Sequence, residues 1–187
     1  MKIEYYEAAA IVPFDGQNRE GALESIHKRA WEMFTHGGPH KYNERPFLFR
    51  FEPLGAASLF ITMRSYQPFA GATQRMLDVE AGQSLTLNLS MIPTRRVGSR
   101  EYVPRATDWP ALWADKAKLA GIEVAPDTIQ FDSLGRWSWN KGRRTLSVMS
   151  GRVTGSVKDL EAFKAAWRTG VGRRKAYGMG MLELAAE

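Results

Sequence analysis

The order in which hydrophobic periodicity changes along the second half of the chain constrains its fold more than any other feature. Ser84 to Met91 alternates strictly, with Leu85, Leu87, Leu89 and Met91 on one face, and reads as a half-buried strand closed by Pro93. Asp108-Trp109-Pro110 opens a helix, with Asp as N-cap or Pro in the first turn, that runs through Trp113 to Leu119 and ends at Gly121. Ile122 to Phe131 and Thr145 to Val153 read as strands flanking a turn-rich, basic connection that contains Gly135, Asn140 and Gly142. Ser156 is placed to cap a last helix, Val157 to Arg168, with Leu160, Phe163 and Trp167 on one face. That helix stops at Gly170, and Ala176 to Leu184 reads as the final strand. Strand, helix, strand, strand, helix, strand is the order of a split βαβ unit.

The first half begins in the same way. Residues 1–13 read as a strand, in which Ile3, Tyr5 and the run from Ala8 to Val12 end at Pro13. From Arg19 to Thr35 the apolar positions Leu23, Ile26, Ala30, Trp31 and Phe34 recur at helical spacing, and Gly37-Gly38-Pro39 breaks the helix. Pro46 to Phe51 and Ala57 to Met63 read as a hairpin turning at Glu52-Pro53-Leu54-Gly55. Residues 66–82 are ambiguous, because Pro68, Gly71 and Gly82 oppose a long element, so the second helix of this half is poor. The expected class is α+β: two tandem ferredoxin-like (RRM-like) domains, residues 1–80 and 81–187, packed closely because no low-complexity linker separates them.

Charge is segregated along this plan. Residues 1–140 carry 16 basic and 16 acidic side chains, whereas residues 141–187 carry ten basic and four acidic, so the last quarter holds the whole net charge of +6. A pI near 9.7 with a local basic block is the footprint of a polyanion binder, nucleic acid before an anionic membrane. The chain has no cysteine, which removes disulfide scaffolds, thiolate metal sites and cysteine nucleophiles. No apolar run approaches the roughly 18 residues that a bilayer span needs, and the N-terminus lacks a signal-peptide core, so the expected location is cytoplasmic.

Three constellations stand out. His27 lies inside the first helix beside its apolar stripe, with Lys28 next to it. His36 and His40 have a spacing that suits a metal on a helix, but they straddle Gly37-Gly38-Pro39 and no acid or thiol cluster joins them, so no metal is assigned. The run from Gly170 to Gly180 sets Arg173, Arg174 and Lys175 among Gly170, Gly172, Gly178 and Gly180, between a helix and a strand, with Tyr177 inside it. Glycines let backbone N–H groups and neighbouring cations approach a phosphate chain closely. The run is neither a phosphate loop of the strand–loop–helix kind nor a dinucleotide fingerprint, since the element order is reversed. Lys141, Arg143 and Arg144 in the inter-strand connection, and Arg95, Arg96 and Arg100 after the Ser84–Met91 strand, extend the expected basic face.

The run Gly170-Val171-Gly172-Arg173-Arg174-Lys175-Ala176-Tyr177-Gly178-Met179-Gly180-Met181-Leu182 resembles the glycine-rich signature of CRISPR repeat-processing endoribonucleases, above all the CasE subgroup of type I-E systems. His27-x-x-x-Trp31-x-x-Phe34 resembles the subgroup's first-helix motif, and Arg45-Pro46-Phe47-Leu48-Phe49-Arg50 its second strand. Trp113-x-x-Lys116 followed by Gly121-Ile122 resembles its later helix and turn. A type IV processing enzyme is the alternative relative.

The resemblance implies two ferredoxin-like domains and metal-independent cleavage, without a cofactor, within the repeat stem-loops of precursor CRISPR RNA. It further implies retention of the product alongside other subunits of an RNA-guided effector complex, and no membrane partner. The histidine matching His27 is catalytic in the family. Many members carry a tyrosine one turn earlier, where this chain has Glu24, so His27, Glu24 and Lys28 are the candidate catalytic residues. RNA brings its own nucleophile in the 2′-OH, and a histidine near its unperturbed pKa serves as acid or base at neutral pH. A catalytically inactive repeat-binding subunit and an unrelated basic structural protein are the competing expectations.

Overall fold

The computed structural model describes residues 1–14, 22–36, 45–139 and 144–185, with the side chains of Trp139 and Arg144 left aside. The first sheet is built from β1 (Lys2–Pro13), β2 (Phe47–Pro53), β3 (Ser58–Ser65) and β4 (Thr73–Asp78), with α1 (Ala22–Thr35) between β1 and β2. Its order is β2-β3-β1-β4 and every neighbouring pair is antiparallel, the ferredoxin-like arrangement. Between β3 and β4, where every residue is described, the second helix of that arrangement is missing. The ambiguous segment resolves into a short connection and the edge strand β4, since Pro68 and a left-handed Gly71 (φ +74°) interrupt any helical nucleus between β3 and β4.

The second sheet contains β5 (Ser84–Met91), β8 (Ile122–Glu123), β9 (Gln130–Trp139), β10 (Arg144–Val157) and β11 (Leu182–Leu184), in the order β11-β5-β10-β8 with β9 also paired to β10. A ribbon of β6 (Arg95–Val97) and β7 (Arg100–Tyr102) projects after β5. Helices α2 (Trp109–Leu119) and α3 (Leu160–Thr169) complete a full βαββαβ unit.

Several expected boundaries move, each for a local reason. The expected strand from Ile122 to Phe131 is cut by Pro126, which starts a single 3-10 turn, Pro126–Thr128. Gly135 lies inside β9 rather than in a turn. Ser156 and Val157 are not a helix start: they continue β10, paired with Ser84 and Glu123 and with Ile122. The cap of α3 is Asp159, whose Oδ1 accepts the Ala162 N–H at 2.9 Å. Asp108 does occupy the cap position of α2, but its side chain makes no capping bond. The expected strand from Ala176 shrinks to β11, because Lys175–Tyr177 forms a 3-10 turn instead.

Both hydrophobic cores are shared between the two halves. One packs Leu23, Ile26, Ala30 and Phe34 of α1 on Phe47, Phe49, Phe51, Ile61 and Met63, and takes in Trp137, Val148 and Met179 from the second half. The other packs α2 and α3 on β5 and β10, and takes in Ile3, Tyr5, Leu77 and Val79 from the first. Two buried arginines of the first sheet clasp β11. Arg64, 2% exposed, donates to the Leu182 carbonyl at 2.8 Å, pairs with Glu7 at 2.9 Å and lies 3.7 Å from the centre of the Trp167 ring. Arg50 bridges Glu52 and Glu183. Such pairs act as geometric constraints more than as sources of stability, since burial opposes the charged form of each arginine. Among the described residues no helix is long and apolar enough to cross a membrane.

Candidate active site and nucleic-acid interface

Helix α1 is held at two places by the second half of the chain. Its first N–H, at Ala22, donates to Ser138 Oγ of β9 at 3.1 Å. One turn further on, with the stripe Leu23, Ile26 and Ala30 buried beneath, His27 stands at the edge of the helix and reaches the glycine-rich run. Its Nδ1 lies 2.5 Å from the Ala176 carbonyl oxygen. A carbonyl only accepts, so Nδ1 carries the hydrogen, and Nε2 holds the lone pair whenever the ring is neutral. The Tyr177 ring lies 5.9 Å and the Trp31 ring 6.4 Å from the imidazole, centre to centre. Trp31 in turn packs on Phe34 and Phe47, so the ring is oriented by an aromatic wall.

The glycine-rich run makes this contact through backbone geometry. Gly170 ends α3, and Val171 N–H donates to the Gly180 carbonyl at 2.7 Å, closing the run on itself. Gly180 (φ +80°) has no alternative: a Cβ there would stand 2.0 Å from the Val171 carbonyl oxygen. Gly178 (φ +80°) lies against the Phe51 and Phe49 rings, which a Cβ would meet at 2.9 and 3.0 Å. Arg174 adopts the same left-handed region (φ +58°, ψ +28°), at a cost of about 1–2 kcal/mol for a residue with a Cβ. Its guanidinium is held by both oxygens of Glu101, at 3.1 and 2.7 Å. Arg45 donates to the Lys175 carbonyl and lies 5.6 and 5.8 Å from the centres of the Phe47 and Phe49 rings. Burial pulls Arg45 down to about 10, still a cation at neutral pH. The Lys175 ammonium is also pushed down, first by burial and then by the Arg45 charge.

The first residues of the run, Val171 to Arg174, line a cleft of about 340 Å³. Arg95, Arg96, Lys116, Arg173 and Arg174 line it together with Gly172, and Asp115 is its acid, 3.5 Å from Arg95. A histidine with a fixed tautomer and a cationic cleft, both built on one glycine loop, suit a phosphodiester, whose charge needs the cations and whose chemistry needs the imidazole.

A model of the family described as CRISPR associated protein matches residues 8–186. The chain belongs to that family. Thermus thermophilus Cse3 bound to an RNA representing a pre-cleavage complex shares its fold with a TM-score of 0.72 at 17% identity, over 98% of this chain and 100% of that one. The CRISPR-associated protein Cas6e from Escherichia coli str. K-12 gives 0.65 at 17%, over 98% and 99%. A chain of a CRISPR RNA-guided surveillance complex gives 0.60 at 22%, over 96% and 98%. At these identities the likeness is one of fold, tandem ferredoxin-like units. No curated protein matches the chain.

The expected site residues of this CRISPR-associated chain separate into groups. Gly172, Arg173, Arg174, Arg95 and Arg96 meet at the cleft, and Arg96 Nε also donates to the Gly98 carbonyl at 2.7 Å. Arg100 stands exposed on β7, opposite Val97. Lys175 and Tyr177 sit in the turn beside His27, while Gly170 is buried at the end of α3. Glu24 lies half-buried one turn before His27 on α1. Lys28, 79% exposed, lies 3.9 Å from Glu32, which Arg29 approaches at 2.8 Å. Lys141, Arg143 and His40 lie outside the described residues, as does the side chain of Arg144. Among the described residues no three His, Asp or Glu side chains come together in a way that suits a metal. Arg45, Lys116 and Glu101 are the site residues that sequence reading did not assign. Arg45 and Lys116 do stand inside segments of family-like pattern, but Glu101 carries no signal of its own.

Proposed function

We propose that this chain is a metal-independent endoribonuclease that cleaves precursor CRISPR RNA within its repeat stem-loops. The observation that carries the reading is the His27 Nδ1–H bond to the Ala176 carbonyl, which ties an acid–base side chain to the cationic glycine loop. RNA brings a 2′-OH next to each phosphate. In the proposed step the 2′-oxygen attacks phosphorus, the bond to the 5′-oxygen breaks, and the ends are a 2′,3′-cyclic phosphate and a 5′-OH. One proton leaves the 2′-oxygen and one reaches the 5′-oxygen. His27 makes one of these transfers through Nε2, because Nδ1 is held by the carbonyl. Lys175, one residue before that carbonyl, meets the charge that builds on the phosphate. Glu24 is next in line to share the proton traffic, whereas the exposed Lys28 beside Glu32 is the weakest of the three expected catalytic groups.

Binding in this reading belongs to the second unit, residues 81–187, with the histidine helix on the first, residues 1–80. Arg95, Arg96 and Arg100 on the ribbon, with Lys116 and Arg173 at the cleft, take phosphates of the stem. Lys141, Arg143 and Arg144, read from the sequence as cations of the inter-strand connection, are assigned to the same RNA backbone. The structural relatives whose own descriptions include bound RNA or an RNA-guided complex support retention of the product with other subunits of such an assembly. Incubating cognate repeat RNA with the chain in EDTA and resolving the products on a denaturing gel tests the reading. Cleavage at one site is expected. Binding without cleavage would identify an inactive repeat-binding subunit, and failure to bind would remove RNA altogether.

The lowered Lys175 pKa carries a further expected result. A lysine is cationic below its pKa, so catalysis that uses the cation is lost as pH rises through a value below the ordinary 10.5. In single-turnover pH profiles the alkaline fall is expected earlier than an unperturbed lysine would give. Lys175→Arg, which stays charged, is expected to move that fall to higher pH.

A further inference from the structure

The ribbon of β6 and β7 has three residues per strand, paired Arg95–Tyr102, Arg96–Glu101 and Val97–Arg100, and most of it is exposed. A two-stranded ribbon of this size does not hold its own shape. Its contact with α2 through Arg95 and Asp115 joins two well-exposed side chains at 3.5 Å and constrains little. Glu101 is different. Its side chain is 28% exposed and that of Arg174 14%, and the two meet through a bidentate pair. Thr94 Oγ1 donates to the same carboxylate at 2.7 Å.

What Glu101 grips is the start of the turn that carries the proposed active site. Arg174 precedes the 3-10 turn Lys175–Tyr177, and its carbonyl accepts the Tyr177 N–H at 2.8 Å. Of the next two carbonyls, that of Lys175 is held by Arg45 and that of Ala176 by His27. Glu101 therefore connects to the imidazole through one ion pair, two residues of backbone and one hydrogen bond. An acid at this place also works against polyanion affinity, since it neutralises a cation beside Arg95, Arg96 and Arg173. A surface selected only for affinity gains by losing it.

We propose that Glu101 is a positioning residue for the cleavage site: through Arg174 it locks the β6–β7 ribbon to the glycine-rich loop and holds the Ala176 carbonyl where it orients His27. The proposal rests on His27 as the acid–base group of the reading above. Its test is Glu101→Gln in the full chain, which keeps the size and the Thr94 bond and removes the charge. Single-turnover cleavage at saturating repeat RNA is expected to slow about tenfold, while repeat affinity stays equal or tightens and the thermal midpoint stays near wild type. Arg174→Lys, which keeps the cation and loses the fork, is expected to slow the same step.

A second readout needs no activity. The imidazole ¹⁵N shifts of His27 in the RNA-free chain are expected to report Nδ1–H in the wild type and a population shifted toward Nε2–H in Glu101→Gln. Unchanged cleavage with an unchanged tautomer would overturn the proposal. A joint fall of affinity, rate and thermal midpoint would overturn it as well, by reducing Glu101 to a fold-stabilising residue. If the wild type itself does not cleave, the functional reading fails, and the tautomer comparison alone decides whether Glu101 positions the loop.

Discussion

Replacing His27 with alanine is expected to slow single-turnover cleavage of bound repeat RNA by about a hundredfold or more, the usual scale for a positioned acid–base group. That corresponds to about 2.7 kcal/mol of lost transition-state stabilisation. Repeat affinity is expected to stay near wild type, because the cations lining the cleft belong to β6, α2 and the glycine-rich run. The fold is expected to survive, since His27 sits at the edge of the α1 stripe rather than within it. The measurement is cleavage at saturating enzyme alongside an equilibrium binding curve for the same RNA. A loss of affinity equal to the loss of rate would make His27 a binding residue. A full rate in the variant would pass the role to Glu24 or Lys175.

The sequence made the periodic parts of this fold visible and left the irregular parts dark. Ser84–Met91 alternates because one face of β5 lies on the core, and the strand has the expected ends. The stripe of α1 is nearly as plain: Leu23, Ile26, Ala30 and Phe34 are buried as expected, whereas Trp31 is half-buried beside His27. Strand β4 was hidden because Thr73 to Met76 are all exposed, so no alternation marks it. The start of α3 was misplaced because serine and aspartate both cap helices. Pairing of Ser156 and Val157 with distant strands, which no local pattern announces, decided between them.

The same division runs through the candidate site. Glycines around Arg173, Arg174 and Lys175 announced a loop that comes close to something, and the structure brings it against His27 from 149 residues away in sequence. The fate of each cation was not legible, because it depends on partners. Arg174 reads like Arg173 in the chain, yet Glu101, 73 residues earlier, holds it. Arg45 looked like the first residue of a strand, and its grip on the Lys175 carbonyl appears only once β2 and the loop are side by side. Tertiary pairing assigns these roles, and spacing along one chain carries no record of it.

The nucleophile offers the most direct test of the account. If the RNA attacks itself, removing one oxygen removes the reaction: a single 2′-deoxy substitution just before the scissile phosphate leaves phosphorus with no neighbouring hydroxyl. The backbone charge and the stem are unchanged, so binding is expected to persist. The experiment compares cleavage and affinity for the all-RNA repeat and its singly deoxy counterpart, in EDTA, with the chemical ends of the products determined. The account predicts site-specific cleavage of the first, leaving a 2′,3′-cyclic phosphate or its opened form and a 5′-OH, with no cleavage of the second at equal affinity. Cleavage that survives the deoxy substitution, or that EDTA stops, would contradict it and assign the attack to a water activated by a metal.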